Sequence, residues 1–172
     1  MAAGNPAMKW TGKRLLCLLL LCFSIGASVA GELHPTDDLR ALGQQARESG
    51  RMILLLVSLE DCPWCDRLKA EVLDPMIKGG DFSDRLIIAE IGMDAGFMLY
   101  DFDGTLIDGS VWAGKRNIYT SPTLLFLDSQ GQERVKRILG YNSADLFPFY
   151  LEESIQQLLS HSDRSLQAHH GN

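Results

Sequence analysis

Two cysteines separated by two residues follow the pattern of a buried strand. Cys62 and Cys65 stand in Asp61-Cys62-Pro63-Trp64-Cys65-Asp66, shortly after the apolar run at residues 52–57. A C-x-x-C pair at a strand-to-helix turn is typical of a redox-active dithiol. Residues i and i+3 of a helical turn lie about 5–6 Å apart, which overlaps the Cα separation of about 5.5–6 Å in an unstrained disulfide. The pair can therefore open and close with little backbone movement.

The two sulfurs are predicted to have different environments. With Cys62 as the N-cap, Pro63 takes the first helical position, where its missing N–H costs nothing. The helix N-terminus then stabilises a Cys62 thiolate and lowers the pKa of that thiol. Cys65 lies one turn further in and is predicted to be shielded. We therefore expect Cys62 to attack and Cys65 to resolve the resulting mixed disulfide.

Two other readings of the cysteine pair stay open. The pair could be half of a zinc site, but zinc takes four ligands and no second Cys pair occurs outside the N-terminal apolar run. It could be a purely structural cross-link, but closing so short a loop constrains little chain. We predict no metal site, and His161, His169 and His170 are assigned no metal role because nothing nearby completes a coordination shell.

The first 30 residues have the pattern of a secretory signal peptide. They begin with the basic residues Lys9, Lys13 and Arg14 and continue with an apolar run at residues 15–23. Small residues suited to a cleavage site follow at Ser28-Val29-Ala30. The alternative is an uncleaved anchor, but the uncharged run at residues 15–31 is shorter than the roughly 20 residues of a spanning helix. Cleavage after Ala30 would leave Cys62 and Cys65 as the only thiols, with no stable membrane insertion.

Net charge and export limit the partners. The first 30 residues hold three basic and no acidic residues, so their removal lowers the net charge from −6 to −9. An acidic surface argues against nucleic acid or anionic lipid as a partner. A signal peptide places the dithiol in the periplasm or another exported compartment, where disulfides persist. A reductase there needs its own electron supply.

Hydrophobic periodicity divides the chain into a signal peptide at 1–30, one domain at 31–160 and a flexible tail at 161–172. A helix capped by Thr36 and closed by Gly50 is expected first, and a hairpin insert at about 93–109 turns at Asp103-Gly104. The other predicted elements are a central strand at 52–59, a helix from Pro63 that ends at Asp74-Pro75, a strand at 85–91, a weak helix at 110–118 with Trp112 inward, strands at 124–127 and 133–139, and a last helix capped by Asp145. This order predicts an α/β fold with a central mixed sheet flanked by helices on both faces.

The dithiol and the later Thr120-Ser121-Pro122-Thr123 together resemble the thioredoxin-fold superfamily, over about residues 50–160. The D-C-P-W-C centre, the insert at 101–104 and the Gly140-Tyr141 pair more narrowly resemble exported thioredoxin-related proteins of the SoxW type. The resemblance implies a cis peptide bond at Pro122, packed against the dithiol. It also implies that the Ser121 backbone pairs with a substrate strand, and we place Trp64 among the substrate-binding residues. Outside the family, Pro122 could be a plain strand-start proline.

The chain departs from the family pattern at Leu56. Thioredoxins usually carry a buried carboxylate six residues before the first active-site Cys, and Leu56 stands there. Proton transfer to and from Cys65 then needs another group or water, and Glu60 or Asp61 are the nearest candidates, unless both are ordinary solvated loop charges. Asp61 also replaces the usual tryptophan. A carboxylate beside Cys62 disfavours its thiolate and argues against a strongly oxidising protein.

The predicted function is that of an exported thiol-disulfide oxidoreductase. It is expected to need no cofactor besides the redox-active Cys62–Cys65 disulfide. Its partners are protein disulfides or dithiols, and a membrane electron donor supplies its electrons. The alternative is a thioredoxin-like binding module, a metal-delivery or maturation chaperone without significant turnover. The SoxW-type resemblance implies a reductant that receives its electrons from a membrane donor.

Overall fold

The computed structural model describes Met1, Leu33 and residues 35–170. The predicted signal peptide, apart from Met1, lies outside the described residues. In chain order the elements are α1 (Leu39–Ser49), β1 (Met52–Ser58), α2 (Pro63–Leu68), a π turn (Lys69–Leu73), α3 (Asp74–Gly79), β2 (Leu86–Gly92), β3 (Met98–Tyr100), β4 (Leu106–Asp108), α4 (Gly109–Lys115), β5 (Thr123–Leu127), β6 (Glu133–Leu139) and α5 (Phe147–His170). None of the helices in this described part is long and apolar enough to cross a membrane.

Four of the strands form a mixed sheet in the order β2-β1-β5-β6. β1 pairs in parallel with β2 and antiparallel with β5, and β5 pairs antiparallel with β6. Every residue of β1 is buried, as its continuous apolar sequence predicts for a central strand. β6 is largely exposed or half-buried and lies at the sheet edge, where its polar sequence is expected.

Helices cover both faces of the sheet, as predicted. Alternate residues of β1 point to opposite faces, so Leu54 and Leu56 pack in one core while Ile53, Leu55 and Val57 pack in the other. The first core lies against the α2–α3 segment and α5, and the second against α1, α4 and the hairpin. The segment that carries the dithiol therefore rests on the face that Leu54 and Leu56 line.

The helix that starts at Pro63 does not end at Asp74-Pro75, so the predicted end is wrong. The chain stays helical through a π turn and α3, and Gly80, in the left-handed region at φ 75°, ends it. Pro75 has no N–H for an i→i−4 bond, and its ring would crowd the carbonyl one turn back. The π turn widens the helix just before the proline, and the Asp74 N–H donates to the Lys69 carbonyl five residues earlier.

Two predicted helix caps differ from the structure. Asp38 caps α1 in place of Thr36, because its Oδ1 accepts from the Ala41 N–H at 2.8 Å. The Thr36 hydroxyl instead accepts from the Asp38 N–H. α5 begins at Phe147, so Asp145 lies one residue too early to be the cap, although Pro148 does fall in the first turn. This helix continues past residue 160, where a flexible tail is predicted, as far as His170.

The predicted hairpin insert is present as β3 and β4, which pair antiparallel. The turn between its strands spans residues 101–105, which is wider than the predicted turn at Asp103-Gly104, and the Asp101 N–H donates to the Thr105 carbonyl across it. Leu99 and Ile107 are buried in the second core. Trp112 of α4 points inward, as predicted, and its indole N–H donates to Asp101 at 2.8 Å. The insert is therefore part of the packed domain.

Candidate redox site

The cysteine pair lies where the chain leaves β1 and enters α2. Cys62 is the N-cap in extended backbone conformation, Pro63 follows at the first helical position, and the Cys62 sulfur accepts from the Cys65 N–H at 3.1 Å. The two sulfurs form a disulfide, with a Cα–Cα distance of 5.2 Å. This distance is close to the separation predicted from one helical turn.

The contrast in exposure between the two cysteines is smaller than predicted. Cys62 keeps 7% of its surface accessible and Cys65 keeps 1%. The order agrees with an outer Cys62 and a shielded Cys65, but both lie under neighbouring chain. Cys62 therefore presents only a small part of its surface to a partner sulfur, and bulk water has almost no access to Cys65.

The loop before β5 faces the disulfide. The Ser121–Pro122 peptide bond is cis, as the resemblance implies. The Ser121 hydroxyl oxygen lies 3.4 Å from the Cys62 sulfur and 3.1 Å from the Cys65 sulfur. Pro122 is buried and its carbonyl accepts from the Gly140 N–H at 2.8 Å. The Thr123 hydroxyl donates to the Thr120 carbonyl at 2.6 Å, so hydrogen bonds on both sides of the cis bond hold the serine against the sulfurs.

Trp64 forms an exposed rim beside the disulfide and is held by a cation. Its side chain is about half exposed, and the Arg67 guanidinium lies 5.2 Å from its ring centre and 5.7 Å from that of Tyr141. Arg67 also forms two hydrogen bonds with Glu71, at 2.9 and 3.2 Å. The Tyr141 hydroxyl donates to Glu71 at 2.5 Å. The contacts with Arg67 hold the Trp64 ring, which is the apolar surface that the C-x-x-C motif exposes to solvent.

The charges of that cluster shift its pKa values. The hydrogen bonds from Arg67 and then Tyr141 lower the pKa of Glu71. Burial, followed by the hydrogen bond to Glu71, raises the pKa of Tyr141 to about 12. The hydrogen bond with Glu71 raises the pKa of Arg67 despite some desolvation. All three groups therefore keep their ordinary charge at neutral pH, and the cluster stays intact there.

A buried acid lies beneath the dithiol segment. Glu90 of β2 is 3% exposed, and its Oε1 accepts from the Ser58 hydroxyl at 2.6 Å and from the Lys69 ammonium at 3.3 Å. Lys69 also lies 3.4 Å from Asp66. Partial burial lowers the pKa of Lys69, but its ion pairs with Glu90 and Asp66 outweigh that effect and the net pKa is raised.

The structure gathers only part of the predicted site. Cys62, Cys65, Ser121 and Pro122 come together, with Trp64 at the rim. The proton-transfer candidates Glu60 and Asp61 are exposed in the loop before Cys62, in line with the alternative that they are solvated loop charges.

Two groups of residues near the site were not predicted from the sequence. The cluster of Arg67, Glu71 and Tyr141 is signalled only by the i,i+4 spacing of its first two members. Glu90 is signalled by being the one charged residue in the apolar run Leu86–Gly92.

The arrangement can carry out disulfide exchange. A sulfur at a helix N-terminus accepts a backbone N–H, and a second sulfur lies within bonding distance one turn inward. A backbone N–H and a helix N-terminus both stabilise a thiolate. The serine hydroxyl can donate to either sulfur when the pair is reduced. These are the groups needed to make one thiolate attack and the other resolve.

Comparisons with known proteins bear on the family and the fold. A family model for the thioredoxin-like domain matches residues 41–155. The solved structure of a poplar thioredoxin h is 18% identical, covering 72% of this chain and 96% of that one, with a TM-score of 0.50. A mutant of the poplar protein is 18% identical, covering 76% and 84%, with a TM-score of 0.52. A thioredoxin from Fasciola hepatica is 20% identical, covering 73% and 98%, at 0.47. No curated protein sequence matches significantly.

Proposed function

The chain belongs to the thioredoxin-like family, and on that premise we propose that it is an exported thiol-disulfide oxidoreductase that reduces or exchanges disulfides in partner proteins. One observation carries the proposal. The Cys62 and Cys65 sulfurs are bonded across one helical turn and both lie within hydrogen-bond distance of the Ser121 hydroxyl, beside a cis proline. A structural cross-link needs no such polar group facing its sulfurs.

The proposed reaction has two exchange steps. The Cys62 thiolate attacks one sulfur of a partner disulfide, and the other partner sulfur leaves as a thiolate, so a mixed disulfide forms. Cys65 then loses its proton and attacks the Cys62 sulfur, and the second partner sulfur leaves. The partner disulfide gains two electrons, and the Cys62–Cys65 disulfide is formed. A dithiol donor must reduce that disulfide before the next turnover.

We propose that the physiological direction is reduction. Asp61 beside Cys62 places a negative charge near the thiolate, which opposes the stabilised reduced form that makes a strong oxidant. The N-terminal sequence pattern supports export, and the SoxW-type motifs support a membrane electron donor as the source of reducing equivalents. Trp64 and the Ser121 backbone would contact the partner segment that carries the disulfide.

Cysteine variants of the chain without residues 1–30 test the proposal. Cys62→Ser should abolish reduction of insulin disulfides, because no attacking thiolate remains. Cys65→Ser should attack normally but accumulate covalent mixed disulfides, because no second sulfur resolves them. Circular dichroism of both variants checks that they are folded. Insulin reduction at the unmodified rate by Cys62→Ser would contradict the proposal.

The binding-module alternative has its own signature. Stoichiometric, tight Cu(I) binding with negligible disulfide turnover would support it and contradict the oxidoreductase. Equilibration of the Cys62–Cys65 couple with glutathione tests the direction. A potential near −270 mV, as in thioredoxin, supports a reductant, and one near about −120 mV indicates an oxidant.

A further inference from the structure

Glu90 is a buried acid beneath the segment that carries the dithiol. Within the described part of the chain, the buried polar residues are Ser58, Glu90 and Thr123, and Glu90 is the titratable one. A buried carboxylate is costly unless it is paired and hydrogen-bonded. An apolar side chain would fill the same strand position without the free-energy cost of burying a carboxylate. The buried acid therefore indicates a function that requires a carboxylate.

The sheet register places Glu90 on the face that supports the dithiol segment. Glu90 pairs with Leu56 in the parallel β1–β2 ladder, and side chains of paired residues point to the same face. Leu56 packs in the core that contains Leu68 and Leu73 of the α2 and π-turn segment. The hydrogen bond to Ser58, two residues further along β1, shows that the carboxylate extends toward the strand end from which Cys62 emerges.

Lys69 links this acid to the turn of Cys65. The Lys69 backbone N–H donates to the Cys65 carbonyl, so Lys69 lies one turn after Cys65. Its ammonium lies 3.3 Å from Glu90 and 3.4 Å from Asp66, whose side chain is 71% exposed. The charged groups around Glu90 are thus Lys69 from the π turn and, beyond it, Asp66 from α2, while β1 contributes the neutral Ser58.

Cys65 needs a proton acceptor that bulk solvent does not supply. It must lose its thiol proton before it can attack the Cys62 sulfur, yet it is only 1% exposed. Glu60 and Asp61 are exposed in the preceding loop. We propose that Glu90, which acts within the dithiol chemistry proposed above, accepts this proton through a bridging water.

The step balances as follows. The Cys65 S–H bond breaks and its proton passes to the Glu90 carboxylate, while the Cys65 sulfur bonds to the Cys62 sulfur. The bond between Cys62 and the partner breaks, and its electron pair leaves on the partner sulfur as a thiolate. Neutral Glu90 no longer neutralises Lys69, but Asp66 remains within ion-pair distance. In the reverse direction Glu90 returns the proton to Cys65.

The decisive variant is Glu90→Gln, which keeps the shape and removes the base. Reduced protein reacts with Ellman's reagent in two phases, as Cys62 releases the first coloured thiolate and Cys65 the second. We expect the first phase to be unchanged. The second phase should slow by roughly a hundredfold at neutral pH, the lower end of the contribution of a general base. Its rate should then rise with hydroxide concentration, whereas the unmodified protein should level off.

Matched variants separate proton transfer from structural support. Asp66→Asn removes the other carboxylate partner of Lys69, which is largely exposed, and should slow the second phase far less than Glu90→Gln does. Glu90→Gln combined with Lys69→Gln leaves no unpaired buried charge, so it keeps the test usable if the single variant folds poorly. A slow second phase in this double variant supports proton transfer. A second phase at the unmodified rate in either the folded single variant or the double variant overturns it. If the unmodified reduced protein showed neither phase with Ellman's reagent, that result would contradict the proposed function itself.

Discussion

The Ser121 hydroxyl is expected to tune the reactivity of Cys62, and Ser121→Ala tests this directly. The hydroxyl oxygen lies 3.4 Å from the Cys62 sulfur and 3.1 Å from the Cys65 sulfur. In the reduced protein we expect Cys62 to be the thiolate, so the Ser121 hydroxyl should donate its hydrogen bond to the Cys62 sulfur. Removing the hydroxyl leaves that thiolate with the Cys65 N–H as its remaining donor in the structure.

The size of the effect follows from one charge-assisted hydrogen bond. Such a bond is worth about 1.5–3 kcal/mol, and the lower value applies because Ser121 is partly accessible to solvent. A loss of about 1.5 kcal/mol raises the thiol pKa of Cys62 by about one unit. Because the reduced form loses stability, the potential of the couple should fall by at most about 30 mV. Ser121→Ala should therefore be a slower nucleophile but a slightly stronger reductant.

Two assays separate these opposite effects. The pH dependence of alkylation by iodoacetamide, measured on Cys65→Ser so that Cys62 is the only reactive thiol, reports the Cys62 pKa. Equilibration with glutathione reports the potential. Ser121→Thr keeps a hydroxyl and should behave like the unmodified protein. An unchanged Cys62 pKa in Ser121→Ala, with the fold intact, would refute the assigned role of the hydroxyl.

Two further predictions concern stability. The pKa of Tyr141 is raised to about 12, so its contribution is complete below the ordinary pKa of about 10 and is lost as pH rises toward 12; urea unfolding should show this loss in the unmodified protein and its absence in Tyr141→Phe. A Cβ added at Gly109 would lie 2.4 Å from the Gly92 carbonyl oxygen, so Gly109→Ala should cost about 2 kcal/mol and lower Tm by about 4–8 °C. Gly114→Ala in the same helix meets nothing within 4 Å and should not lower Tm.

The sheet could be predicted because burial along a strand follows from composition. The uninterrupted apolar run of β1 demands cover on both faces, and the polar sequence of β6 suits a sheet edge. The site sulfurs could be predicted for a similarly local reason, since two cysteines three residues apart at a helix start are fixed by helical geometry alone. The cis bond at Pro122 depended on the family resemblance.

Long-range relations could not be predicted in the same way. The apolar run of β2 shows that Glu90 is unusual, but its partners depend on the β1–β2 register and on Lys69 coming over the sheet from the π turn. The usual carboxylate position is Leu56, and Leu56 pairs with Glu90 across the ladder. Glu90 thus lies one strand away from the usual carboxylate position and on the same face of the sheet, a relation that only the strand pairing reveals.

The π turn contains both Lys69 and Glu71. A helix that ended at Asp74-Pro75 would not have needed a π turn before the proline. Instead the π turn begins at Lys69 itself, and inserting one residue in a turn rotates every later side chain around the helix axis by about 100°. Lys69 and Glu71 are two residues apart in this turn and face different partners, Lys69 being directed at Glu90 and Glu71 at Arg67 and Tyr141.

Capping and reactivity depend on the same atom, the Cys62 sulfur. As the N-cap, its sulfur accepts the Cys65 N–H, which satisfies one of the donors that a helix start leaves unpaired. A thiolate accepts that bond more strongly than a sulfur in a disulfide, because charged acceptors form stronger hydrogen bonds. Reduction should therefore strengthen the cap while the helix start lowers the thiol pKa. The residue that starts the helix is for this reason also the residue that attacks, and a serine in its place would keep the cap but lose the chemistry.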